Sequence, residues 1–360
     1  MSKTTMRVLK ERADRPMDDH ALETLVGVAI AAWTFGLLVF THATVGQLPF
    51  SRDFSLGTCC QAVALGCLIA AIASKRFDFK PAGLVGLGVL LFSSISIWNK
   101  SQDLRLLVLA LLVVAARGMD MRRLLRFFAG AAALALLCVT TLAVTGVTTV
   151  RVDPTLAFGF ASAKTVACLL LGITSALCLT VEDRRMRIPC AVVCLVCAAL
   201  AMFILKVKSY AVFMALVGVL VVFQDVIARR LSGIMAHREF GWFMAAAPIV
   251  LFCLCQDSGK YFSFASFLRG GYKSLLGQYG MAALCCFAMV YVRAALLASR
   301  DERTTFTWLV LCVYLVACAF DVNTAYLEFN GLLLFLTLGT GRSVISVPVP
   351  AVMRPEQGGE

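Results

Sequence analysis

Charge is what this sequence has least of. Only 15% of its 360 residues are Asp, Glu, Lys or Arg, against about 25% in an average soluble domain. With 60% hydrophobic residues and a mean hydropathy of +0.87, the chain cannot hide its apolar surface from water by folding alone, which excludes an ordinary soluble globule. Histidine is scarcer still. His20, His42 and His237 lie far apart and away from the cysteines, so no zinc-ligand spacing is assembled. Cysteine is missing from the polar segments: the 15 cysteines, Cys59, Cys60, Cys190, Cys194, Cys197, Cys285 and Cys286 among them, fall inside or at the edge of apolar runs. That placement excludes a secreted disulfide framework and reads as small apolar helix residues. No internal repeat, low-complexity stretch or soluble domain interrupts the pattern. No small-residue cleavage site follows the first apolar run, so that run is expected to be a membrane helix rather than a signal peptide.

Apolar runs occupy about 22–43, 58–73, 82–98, 104–116, 124–146, 156–181, 188–205, 209–223, 240–256, 274–298, 305–320 and 324–341, each read as a candidate span of a bilayer. The expected fold is therefore all-α, a polytopic transmembrane bundle of about 12 spans with both termini inside. Residues 1–21 form a basic cytoplasmic segment, 22–343 the membrane domain, and 344–360 a disordered cytoplasmic tail. With the amino terminus inside, 23 of the 33 basic residues fall on the cytoplasmic side, as the positive-inside bias requires. The net charge of +12 follows from that bias. The basic residues lack interleaved aromatics, so nucleic acid is not an expected partner. The same parity splits 188–223 into two helices with a tight outward turn at Lys206 and Lys208.

Ten cations run against the bias: Arg52, Lys100, Arg105, Arg151, Lys164, Lys206, Lys208, Lys260, Arg269 and Lys273. Lys164, read as one or two turns inside the sixth span in GFASAKTVA, either snorkels to headgroups or faces a cavity open to the outer leaflet. Arg151, Lys164, Lys206, Lys208, Arg269 and Lys273 converge in this reading on one outer rim. Guanidinium and ammonium donors there match a diphosphate headgroup, or each touches lipid phosphate alone. Asp321, closing the eleventh span, and Glu328, opening the twelfth, are the carboxylates expected at membrane depth. Each is a candidate general base or a structural hydrogen-bond partner.

Several segments resemble the bacterial O-antigen, capsule and exopolysaccharide polymerases over roughly residues 85–340. LRLLVLALLVVAARGMDMRRLLR resembles that family's fourth span and basic loop, and LAFGFASAKTVACLLLGI its sixth-span motif. YKSLLGQYGM, which brings in Tyr272, and FDVNTAYLEFNGLLLFL resemble its later segments. The departures are specific. Ser162, Ala163 and Lys164 stand where the family has His, Pro and Asn, and Arg269 and Gly270 where it has Asp and Asn.

The resemblance implies a membrane glycosyltransferase of the bacterial plasma membrane. Its substrate would be polyprenyl-diphosphate-linked oligosaccharide repeat units, and its partners membrane lipids together with a flippase and chain-length regulator of the same pathway. Lys164, Asp321 and Glu328 would carry catalysis, and Arg151, Lys164, Lys206, Lys208, Arg269, Tyr272 and Lys273 would bind substrate. No cofactor or metal is expected. The alternative expectation is a non-catalytic accessory protein of polysaccharide export, or a membrane carrier of an anionic solute.

Overall fold

The computed structural model describes residues 19–43, 56–75, 103–148, 150–152, 155–181, 183–235 and 326–330, with isolated positions between 88–99 and 309–317. Among these residues the architecture is helical. Helix α1 covers Asp19–Leu37 and continues as a π-helical turn over Leu38–His42. Helices α2 (Leu56–Ala73), α3 (Arg105–Ala115) and α4 (Met121–Val144) follow. A two-residue antiparallel ribbon comes next, β1 (Arg151–Val152) and β2 (Thr155–Leu156). Beyond it lie α5 (Ala163–Thr180), α6 (Arg184–Ala199) with a second π turn at Leu200–Ile204, and α7 (Lys208–Met235).

Six of these helical stretches are long and apolar enough to cross a bilayer: Asp19–His42, Leu56–Ala73, Met121–Val144, Ala163–Thr180, Arg184–Ile204 and Lys208–Ile227. The protein is a multi-pass membrane protein. Large apolar side chains stay exposed along α6 and α7, among them Ile188, Val196, Phe203, Val212, Val219 and Phe223. Lipid tails solvate such a surface as well as a protein core would.

Small residues let the helices approach. A Cβ on Gly27 would lie 2.3 Å from the Phe127 ring on α4, and one on Gly36 would lie 2.5 Å from the Cys60 Cβ on α2, so α1 fits between those neighbours only because both positions are glycine. On the far side α5 carries the most deeply buried helix, with Cys168, Leu169 and Leu171 inaccessible. It meets α6 where the Cys178 and Cys194 sulfurs stand 3.5 Å apart.

Polar contacts knit one end of the bundle. Glu23 near the start of α1 pairs with Arg123 and accepts the Asp120 N–H. Lys75, just past α2, donates to the carbonyls of Ala115 and Arg117 and so satisfies the end of α3, whose chain then turns at Gly118 with φ +77°. Burial, with Arg117 nearby, pushes the Lys75 ammonium below its usual range. Asp120 and Asp183 cap α4 and α6, and Asp225 of α7 receives Arg184 and Arg187 at 2.9 and 2.8 Å.

Two sequence readings meet the structure at particular residues. The split of 188–223 into two helices is observed: α6 and its π turn end at Ile204, and α7 begins at Lys208. The expected sixth span begins later than its apolar run. Phe158 and Gly159 take positive φ of 49° and 86°, which no helix continues through. The Ser162 side chain then caps α5 by accepting from the Thr165 N–H. Lys164 therefore sits in the first turn of α5, exposed, and not one or two turns deep.

Candidate functional site

The opposite end of the bundle holds the one buried ionic cluster among the described residues, and its position follows from the length of α3. Eleven residues span only about 16 Å, half of a hydrocarbon core of about 30 Å. Because the carboxyl end of α3 is tied to Lys75, Arg105 at its start lies one α3 length from that end of the bundle. Asp103 fixes that start by accepting the Arg105 N–H at 2.9 Å.

His42 reaches the same place from α1. The π turn ends on it, and Ala43 then extends and bridges to Phe160. The Ala161 N–H donates to the His42 carbonyl at 2.9 Å, so the backbone on both sides of the ring is held.

The third contributor is a single turn, residues 326–330, in which the Phe329 and Asn330 N–H groups donate to the Tyr326 carbonyl at 3.1 and 3.0 Å. All five of its residues are buried. It rests against the middle of α5, where a Cβ on Gly172 would come within 2.2 Å of the Phe329 carbonyl oxygen. Non-helical backbone at such depth is tolerated only where protein or a wet cavity surrounds it.

Three side chains of this turn grip the two bases. Glu328 Oε1 receives Arg105 Nε at 3.0 Å and His42 Nε2 at 3.3 Å. The Tyr326 ring lies 4.3 Å beneath the Arg105 guanidinium, a cation–π contact. Phe329 meets the His42 ring edge-on at 4.7 Å. Arg105 also lies 3.8 Å from Asp103 and 3.4 Å from His42 Nε2. Glu328 Oε2 is buried without a hydrogen-bond partner among the described residues, whereas the bases keep 21% and 16% of their side chains exposed. The two bases are thus more exposed than the carboxylate that holds them.

The expected site residues distribute as follows. Glu328 lies at the centre of the cluster. Lys164 is exposed, three residues beyond Ala161, which bonds the His42 carbonyl. Lys206 and Lys208 are exposed on the α6–α7 turn, at the same end as the start of α5 because α5, α6 and α7 alternate in direction. Lys206 holds a left-handed φ of 58°. Arg151 lies in β1, opposite Leu156. Among the described residues no hydrogen bond joins Lys164, Lys206 or Lys208 to the buried cluster. Asp321, Arg269, Tyr272 and Lys273 lie outside the described residues, as do the spans read at 240–256 and 274–298; of the span read at 324–341 only 326–330 is described, and it is a turn where the sequence reading expects the start of a helix.

Sequence reasoning missed His42 and the special position of Arg105. The available signals were an acid at membrane depth, which requires a partner, and a cation opening a span too short to cross. The arrangement is chemically suited to holding two basic side chains in fixed directions, one pinned by an aromatic face and both by one carboxylate. Comparison of the chain with protein-family models, with curated proteins and with solved structures finds no match.

Proposed function

We propose that this chain is a membrane glycosyltransferase that polymerises lipid-diphosphate-linked oligosaccharide repeat units at the outer face of the plasma membrane. The reading takes the twelve-span, both-termini-inside topology, under which the Arg105 and His42 end of the bundle faces outward and the Lys75, Arg123 and Arg184 end faces the cytoplasm. The observation that carries it is the pair of part-exposed bases, Arg105 and His42, held in fixed geometry by the buried Glu328.

In the reaction a sugar hydroxyl attacks the anomeric carbon of the growing chain and the lipid diphosphate leaves. Charge grows on the departing phosphate oxygens, and preorganised donors aimed at that charge lower the barrier. Arg105 and His42 are those donors in this reading. Arg151, Lys164, Lys206 and Lys208 draw the diphosphate to the rim. Glu328 is a positioning residue here, because one of its oxygens already holds both bases, and Asp321 remains as the carboxylate that assists the acceptor hydroxyl.

The test is reconstitution of the purified chain in liposomes with polyprenyl-diphosphate-linked repeat units from its source cell, with products separated by length. A ladder of oligomers is expected, and Arg105→Ala should cut its rate by roughly 10², the scale of removing one preorganised donor. A second reading, carriage of an anionic solute, is favoured by the turn at 326–330, since broken backbone at membrane depth builds substrate sites in carriers. Liposomes that make no ladder but accumulate a labelled anion would replace the first reading with the second.

A further inference from the structure

The buried cluster is nearly balanced in charge. Arg105 faces Glu328 and Asp103, and His42 adds a positive charge only when protonated. A phosphate group added to these bases puts further negative charge beside a carboxylate that has no exposed surface. An unpaired buried carboxylate does not stay ionised, because desolvation drives it to take a proton.

The two Glu328 oxygens are not equivalent. Oε1 holds both bases, whereas Oε2 is buried with no partner among the described residues. Oε2 is therefore the oxygen with lone pairs free to take a proton when further negative charge arrives, and a proton there leaves Oε1 free to keep accepting, more weakly, from Arg105 and His42. His42 is the neighbouring group that could take the proton instead, and the Glu328→Gln and His42→Gln variants separate the two. Among the described residues, α1 contributes His42, α3 contributes Arg105 with Asp103 behind it, α5 meets the turn at the uncharged Gly172, and the turn itself adds Tyr326 and Phe329.

We infer that Glu328 is a resident counter-ion for Arg105 and His42, and that binding of a phosphate group to these two bases is coupled to uptake of a proton on Glu328 Oε2. The inference rests on the diphosphate reading of the site and adds its regulation. In the empty protein the carboxylate neutralises the bases. When a diphosphate arrives through their exposed edges, one proton enters from solvent, no covalent bond to the ligand changes, and the charge of the cluster passes from Glu328 to the ligand. A low external pH therefore favours the loaded state.

The test is calorimetric titration of the full chain, in nanodiscs of phosphatidylcholine, with inorganic pyrophosphate. Two buffers of equal pH and different ionisation enthalpy report the protons taken up. Wild type should take up about one proton per pyrophosphate more than Glu328→Gln, and Glu328→Gln should bind roughly tenfold tighter, because a charged competitor has become a neutral one. His42→Gln should bind more weakly and keep the uptake. Equal uptake in wild type and Glu328→Gln, or uptake lost only in His42→Gln, overturns the inference. If Glu328→Gln does not fold, the comparison of wild type with His42→Gln decides on the same criterion. Binding with no uptake overturns the coupling and leaves the polymerisation reading standing, whereas absence of binding in every form overturns both.

Discussion

Replacing Gly172 by alanine tests whether the 326–330 turn is seated on α5 as the site requires. The new Cβ would lie 2.2 Å from the Phe329 carbonyl oxygen, 3.2 Å from its carbon and 3.5 Å from the Phe128 ring. The first contact is with backbone, so no side-chain rotation relieves it. Moving the oxygen from 2.2 Å to the 3.4 Å of ordinary contact requires a displacement of about 1.2 Å, and overpacking of this kind costs about 1–3 kcal/mol. A shift of that size also exceeds the slack of the 3.0 Å bond between Arg105 and Glu328. Gly66→Ala and Gly130→Ala are the controls, because a Cβ at either position meets nothing within 4 Å. On helix propensity alone they should be neutral or stabilising by up to about 1 kcal/mol. The assay is thermal unfolding of the purified proteins in one detergent, followed by tryptophan fluorescence. If Gly172→Ala melts with Gly66→Ala, the turn does not rest on α5 and the buried cluster is misassembled.

Four further outcomes are expected. Glu328→Ala should destabilise the protein by less than the roughly 3–5 kcal/mol of breaking a fully buried pair, because Arg105 is 21% exposed and retains Asp103; combining it with Arg105→Met should recover part of the loss in the same melting assay. Gly159→Ala should cost about 1–2 kcal/mol, since the position has φ +86° and its Cβ would lie 2.9 Å from the Val139 carbonyl oxygen, and the Tm should fall. Lys164→Ala should leave expression intact and lower polymer yield by roughly tenfold if the lysine draws the diphosphate to the rim; an unchanged product ladder would reduce it to a lysine touching headgroups. Reporter fusions after Lys100, Arg151 and Ser266 should signal outside, and those after Arg76, Arg123 and Arg230 inside; an outside signal at Arg230 would break the topology.

Six of the helices were legible because each is long enough to cross lipid and has apolar neighbours at every turn. The hairpin at Lys206 was legible from charge parity alone. The start of α5 was not, because Ala157, Phe158 and Phe160 are as apolar as the helix that follows. Only the left-handed backbone at Phe158 and Gly159, invisible to hydropathy, separates them. Glu328 stood out as an acid in an apolar segment, which charge scarcity makes conspicuous. Its partners did not stand out, since periodicity and spacing report neighbours a few residues away, and His42 lies 286 residues from Glu328. Lys164 attracted notice for the same reason as Glu328, yet it is exposed, because a long flexible ammonium can leave an apolar environment in a way that a short carboxylate on a buried turn cannot.

That 286-residue separation sets an order of events during synthesis. At about 5–20 residues per second, His42 and Arg105 enter the membrane some tens of seconds before Glu328 leaves the ribosome. For that interval Arg105 has only Asp103 as a carboxylate partner, and His42 lacks the contacts of the final turn. Lipid phosphates are the anions at hand to take that turn's place. The final turn then displaces that temporary partner, so a ribosome stalled short of residue 328 yields a chain whose early helices are inserted but whose cationic site remains open to whatever anion the membrane supplies.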